Sequence, residues 1–242
     1  MAFVGHRPTR MLGMVFLAIS APVLADAKPT LSFGGVTGLI DMPSGESQSD
    51  GAFSVTSAHF GPISRTTLSF QITPRLSGSF RYTAIRKWDV PGSRLPINYD
   101  RSFDLRYQVF EEGNYTPGVV VGLQDIIGTG LMSGEYVAAT KSFGDRVKVT
   151  AGLGWGRFGS YGSIGAPFGD RPAVDFGVGG NVRTGQWFRG DVAPFAGVEW
   201  QVNDKLSLKA EYSSDDYTLE AANRGTFERK SPFNFGVEYQ LN

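Results

Sequence analysis

The sequence predicts an all-β chain, an antiparallel transmembrane β-barrel of the bacterial outer-membrane type. It should have ten strands, or twelve if the loop over 158–190 holds a further hairpin. Three observations predict this. Apolar and polar residues alternate with a period of two over ten segments. The connections between the segments alternate between tight turns and long loops. The chain also opens on a segment of the kind that directs export.

Residues 1–25 read as a signal peptide. His6, Arg7 and Arg10 form a basic start, and Met11 to Ile19 form an apolar core too short to span a bilayer comfortably. Val23-Leu24-Ala25 supplies a small-residue cleavage site, with Ala25-Asp26-Ala27 as the alternative. The 23 basic and 23 acidic side chains balance, which argues against a nucleic-acid partner. With no cysteine, the chain offers no disulfide, no thiolate metal site and no thiol for lipid attachment at the cleavage point. Apolar runs after residue 25 are only a few residues long, which argues against membrane helices. The 32 glycines and 13% aromatic content suit strands with one polar and one apolar face.

Residues 26–51 carry Gly34-Gly35, an apolar phrase closed by Pro43, and a polar Ser/Gly/Asp run. They lack a long alternation, and a lone extra strand here would break an even strand count, so this segment is expected at the barrel mouth or in its lumen. Residues 52–242 form the barrel domain. Its strands are expected over 52–60, 64–72, 76–88, 100–111, 118–127, 135–143, 146–157, 191–202, 205–217 and 232–241. Most are long enough for a tilted strand to cross a bilayer, which takes about 9–11 residues. In the fourth segment Phe103, Leu105, Tyr107 and Val109 alternate with Ser102, Asp104, Arg106 and Gln108.

Thr73-Pro74-Arg75, Gly144-Asp145 and Asn203-Asp204 are tight-turn sequences, whereas 89–99, 158–190 and 218–231 are long loops. With both ends of the domain in the periplasm, the tight turns fall there and the long loops fall outside. An additional hairpin around Val174 to Gly180 and Gln186 to Phe188 would keep this parity. The last strand must pair with the first around Phe53 to Phe60, because an open edge in hydrocarbon leaves backbone groups unsatisfied. Phe60, Trp88, Phe143, Trp155, Trp200 and Tyr217 near strand ends fit interfacial aromatic girdles.

With the apolar face outward, the inward side chains include Arg65, Arg81, Arg106, Lys148 and Lys209. Asp104, Glu199, Glu211 and Glu238 join them. Near-balanced charges in a narrow lumen pair with one another, so they are expected to form a structural network in a filled or constricted interior. Gly122, Gly152, Gly154 and Gly156 share that side and leave room for Arg side chains or an inserted segment. Beyond the signal, His59 is the only histidine, two positions from Ser57, which does not make a nucleophile–base–orienter set. Asp215-Asp216 is a weak calcium candidate, and Gly128-Thr129-Gly130 opens no helix and so is no phosphate loop. No catalytic, cofactor or metal residue is expected.

Several phrases follow one another in a fixed order. Tyr99-Asp100-Arg101-Ser102-Phe103-Asp104, Leu123-Gln124-Asp125-Ile126-Ile127-Gly128-Thr129-Gly130-Leu131, Glu135-Tyr136-Val137-Ala138 and Gly152-Leu153-Gly154-Trp155-Gly156 are the first four. Gly38-Leu39-Ile40-Asp41-Met42-Pro43, Leu206-Ser207-Leu208-Lys209-Ala210-Glu211-Tyr212-Ser213 and Pro232-Phe233-Asn234-Phe235-Gly236 add to them. Together they resemble the YjbH family of outer-membrane proteins tied to exopolysaccharide production, whose members are usually much longer and include lipoproteins. The resemblance implies a non-enzymatic accessory of polysaccharide production or export. Its partners would be outer-membrane lipid, the polysaccharide and other export components, and it would use no cofactor. The alternatives are a small porin-like or adhesive barrel and a barrel-embedded lipid or glycan hydrolase.

Overall fold

Ten antiparallel strands pair in strict sequence order in a single sheet. The computed structural model describes residues 28–86, 97–173, 180–220 and 228–241. The strands are β1 (Phe53–Phe60), β2 (Ile63–Gln71), β3 (Leu76–Arg86), β4 (Ile97–Phe110) and β5 (Gly118–Gly128). They continue with β6 (Gly134–Phe143), β7 (Val147–Gly156), β8 (Val192–Asn203), β9 (Leu206–Tyr212) and β10 (Phe233–Tyr239). The expected signal peptide and Trp88 lie outside the described residues.

Burial along the strands is the reverse of a water-soluble sheet. On β4 the polar side chains of Asp100, Ser102, Asp104, Arg106 and Gln108 are buried, while Tyr99, Phe103, Leu105 and Tyr107 are exposed. The same holds on β2, where Thr67, Ser69 and Gln71 are buried and Leu68 and Phe70 are exposed. Period-two alternation puts each set on its own face, and here the polar face is the inner one.

The inner face wraps around residues 28–48. Phe33 of that segment stacks on Phe60 of β1, with ring centres 6.1 Å apart. Asp41 accepts a 3.1 Å hydrogen bond from Asn234 Nδ2 of β10. A flat sheet of ten strands would hold its edges about 40–45 Å apart, far beyond the reach of a short, folded segment. The segment turns back on itself through the Leu31–Thr37 and Gly38–Pro43 bridges, so the sheet must curl to bring β1 and β10 to it.

The curl does not close. Among the described residues β1 pairs with β2 and β10 with β9, and the expected β1–β10 ladder is absent. Apolar side chains of the inserted segment stand at this seam. Ile40 lies against Gly236, its side-chain carbons 3.1 and 3.2 Å from where a β-carbon would sit. With Phe33 against Phe60, they line a cavity of about 840 Å³ between the edge strands.

Other expectations need correction. Strand β9 ends at Tyr212, because residues beyond it fold inward: Ser214 Oγ donates to the Phe158 carbonyl at 2.6 Å and Asp215 pairs with Arg157. Gln186 sits in a 3-10 turn, Thr184–Gln186, so the second arm of the extra hairpin is not a strand; positions 174–179 lie outside the described residues. Trp155 is buried rather than girdling the surface, covered by Phe168 and Phe188 of the following loop, and Tyr217 is buried as well. Phe143 and Trp200 are exposed. Space beside the inner glycines is taken by the Tyr136 ring at Gly122, the Phe195 ring at Gly152, and the β-carbon and backbone of Phe158 at Gly154. Only at Gly156 is the neighbour an arginine, Arg171.

Candidate functional site

The interior is organised by the backbone of residues 28–48, whose turns leave N–H and C=O groups without strand partners. Buried polar groups need partners, and here charged strand side chains supply them. Glu211 on β9 accepts the N–H groups of Ile40 at 2.9 Å, Asp41 at 3.0 and 3.1 Å, and Met42 at 2.9 Å. A carboxylate held by successive backbone N–H groups fills the kind of concavity that binds anions.

Carbonyl groups of the segment meet cations in the same way. Arg106 on β4 donates to Thr37 Oγ1 and to the carbonyls of Ser44 at 2.8 Å and Glu46 at 3.3 Å. Arg81 on β3 pairs with Asp104 and donates to the Gly34 carbonyl at 3.3 Å. Arg65 on β2 donates to the Phe33 carbonyl at 3.4 Å. Lys148 on β7 bridges Glu46 at 2.7 Å and the Lys28 carbonyl at 2.9 Å. Lys209 on β9 pairs with Glu238 at 2.9 Å, lies 3.7 Å from Glu199, and donates to the Leu39 carbonyl at 3.2 Å. Glu199 on β8 accepts from Thr30 Oγ1 at 2.6 Å.

Thus Arg65, Arg81, Arg106, Lys148, Glu199, Lys209 and Glu211 each touch the segment directly. Asp104 and Glu238 pair with members that do. Asp104 also accepts the Asp125 N–H at 2.9 Å, at an irregularity in the β4–β5 pairing where Asp125 takes a φ of 55°. An apolar patch completes the seat: Met42 packs with Val120, Tyr136, Ala138, Phe158 and Phe195.

Sequence reasoning missed a second set at the loop end. Arg157 pairs with Asp215 at 2.6 Å and Glu220 at 2.9 Å. Arg171 pairs with Glu135 at 2.7 Å, and Glu135 also accepts the Phe188 N–H at 3.1 Å. Asp41 joins the two sets, accepting from Tyr217 Oη at 2.7 Å as well as from Asn234. Burial, then the neighbouring Glu211 charge, push the Asp41 carboxyl up to about 6. Burial raises Asp215 to about 6 against the opposing pull of Arg157. Glu135 lies on β6 and Arg157 directly follows β7, and both carry a weak signal, but nothing local in the sequence marks Arg171 or Glu220 as their partners.

The weaker sequence candidates disperse. His59 Nδ1 shares a 2.9 Å hydrogen bond with Ser64 across the β1–β2 hairpin, and Ser57 lies opposite Thr66. Asp215 and Asp216 are spent on Arg157 and Arg229. Thr129 bonds to Asp100. Among the described residues no group of three or more His, Cys, Asp or Glu side chains could hold a metal ion.

A family model described as "Exopolysaccharide biosynthesis protein YbjH" matches residues 30–242. The chain belongs to the YjbH family. A curated relative, the "Uncharacterized lipoprotein YjbH" of Escherichia coli (strain K12), is 32% identical over 248 residues. That match covers 96% of this chain but 35% of the relative, so the chain spans about a third of that protein's length. No solved structure matches. The YjbH match begins at residue 30, so it takes in the inserted segment together with the whole described sheet.

Proposed function

We propose that this chain is an incompletely closed β-barrel of the bacterial outer membrane that serves, without catalysing a reaction itself, as an accessory of exopolysaccharide production or export. The observation that carries the membrane reading is the reversed burial. A sheet with Phe103, Tyr107, Phe70, Trp200 and Phe235 on its exposed face, and Arg81, Glu135 and Lys148 buried on the other, is costly in water. In a bilayer the exposed face is the favourable one. The role in polysaccharide production is drawn from the family's description and from the longer relative. The relative is named a lipoprotein, which also supports an exported, envelope-associated protein.

The filled interior favours an accessory over a wide pore. Residues 28–48 engage inner side chains from β2 round to β10, and the cations there are paired with carboxylates or with backbone carbonyls. An open, charge-selective channel needs free charge facing water.

The test has two parts. Fractionation should recover the protein in the outer membrane with heat-modifiable gel mobility, and recovery as a soluble periplasmic monomer would overturn the membrane reading. Deleting the gene should change the amount of secreted polysaccharide, with restoration by the intact gene. An unchanged yield under producing conditions would overturn the accessory role.

A further inference from the structure

The seam between β1 and β10 carries a feature that the plugged interior does not use. Its cavity, about 840 Å³, is in the size range of sites that enclose small ligands, about 300–1,000 Å³. Its walls are amphipathic. Phe33 and Ile40 of the inserted segment, Phe60 of β1 and Phe235 of β10 line one part, and Arg229 and Lys230 line another. The carboxylates that also border it have partners: Asp41 binds Tyr217 and Asn234, and Glu238 binds Lys209. Arg229 is held by Asp216 at 3.1 Å and lies over the Tyr161 ring, and Lys230 is exposed.

The position of the cations gives the site a direction. Arg229 and Lys230 precede β10 in the connection from β9, at the long-loop end, while the apolar walls continue along the strands. Phe233, Val237 and Tyr239 on the exposed face of β10 also line the cavity, and on β1 Phe53 and Val55 share the exposed register of the lining residue Ser57. A ligand entering from that face meets hydrocarbon-like walls first and positive charge at one end.

We infer that the β1–β10 seam is a lateral binding site for one anionic, phosphate-bearing membrane lipid, with an acyl chain against Phe33, Ile40, Phe60 and Phe235 and its phosphate beside Lys230 and Arg229. Strand parity argues against a polypeptide occupant. β1 and β10 run antiparallel to each other, so a single strand inserted between them would lie parallel to one edge, breaking the antiparallel pattern of all the other pairs. The inference rests on the membrane reading above.

The experiment compares lipid retention by the full chain purified in detergent and equilibrated with equal amounts of phosphatidylglycerol and phosphatidylcholine, read by native mass spectrometry. One phosphatidylglycerol should be retained preferentially. Lys230→Glu should cut that preference by about fivefold or more, the scale of one cation at a lipid surface. The same charge change at the opposite end, Lys205→Glu, should leave it intact. Ser57→Trp, at an exposed position on the cavity wall, should lower retention of both lipids. Equal retention of the two lipids by the unaltered protein, or full retention by Ser57→Trp, would overturn the proposal. Displacement by free glycerol phosphate at lipid-equivalent concentration would also overturn it, by showing a soluble-phosphate site. A protein that inserts and shows heat-modifiable mobility yet has no lipid preference refutes the seam site alone. A protein that does not insert refutes the membrane reading beneath it.

Discussion

Glu211 and Asp41 lie 170 positions apart in the chain, yet the Glu211 carboxylate accepts the Asp41 N–H through both oxygens, at 3.0 and 3.1 Å. Both residues are central to how the inserted segment is held. The carboxylate gathers the N–H groups of Ile40 and Met42 as well, and Asn234 of β10 donates to it at 3.0 Å. Glu211 therefore joins β9, β10 and the segment at one point.

Glu211→Ala should loosen the segment. It leaves backbone N–H groups unpaired in a buried site, and hydrogen bonds to charged groups contribute about 1.5–3 kcal/mol. The expected loss is about 2–4 kcal/mol, read as a lower unfolding midpoint in heat-modifiability gels. A cysteine introduced at buried Ser44 should label faster in the same variant. An unchanged midpoint and labelling rate would mean that the segment does not depend on this carboxylate.

Asp41→Asn keeps an oxygen acceptor for Tyr217 and removes a charge beside Glu211. Because the folded-state value is raised, to about 6 from 3.8, the folded protein binds more protons than the unfolded chain between those values. Stability from this group therefore increases as pH falls from above about 6 towards 4, and a cost remains at higher pH. At pH 8 the variant should be more stable than the unaltered protein by about 1–3 kcal/mol. The difference between the two should shrink to near zero by pH 4. A difference independent of pH would show that Asp41 does not titrate in this range.

Phe103→Arg puts a charge on the exposed face of β4, opposite Phe80. If that face meets lipid, insertion into vesicles should be disfavoured by about 2–4 kcal/mol near the bilayer midplane. Tyr239→Asp on β10 should act in the same direction, while Gln240→Asp, beyond the end of the strand, should act far less. Comparable folded yields for all three would count against a lipid-facing sheet.

The absence of native cysteine makes topology directly testable. A cysteine at exposed Ile164, in the long β7–β8 connection, should react with an impermeant maleimide on intact cells. One at Asp204, in the tight β8–β9 turn, should react only after the outer membrane is opened. The reverse labelling pattern would invert the orientation.

The strands were legible because alternation is local: a residue and its second neighbour share a face whatever the rest of the chain does. All ten appear within a few residues of their expected limits, except where β9 stops at Tyr212. The inward charges were legible for the same reason, since Arg81, Arg106, Lys148 and Lys209 sit on the polar register of their strands. What each charge would face was not. Arg106 meets Ser44 across 62 positions and Lys148 meets Glu46 across 102, and no periodicity encodes contacts of that span.

The sequence by itself determined the antiparallel strand order, the polar and apolar faces, and the even count, all consequences of short-range stereochemistry. Only the tertiary structure decided that residues 28–48 fill the interior. The energy of that choice lies in buried carbonyl and N–H groups that must find charged partners on distant strands. It also decided that β1 and β10 stand apart, with Phe33 and Ile40, two apolar residues of the inserted segment, held at the seam by the same network.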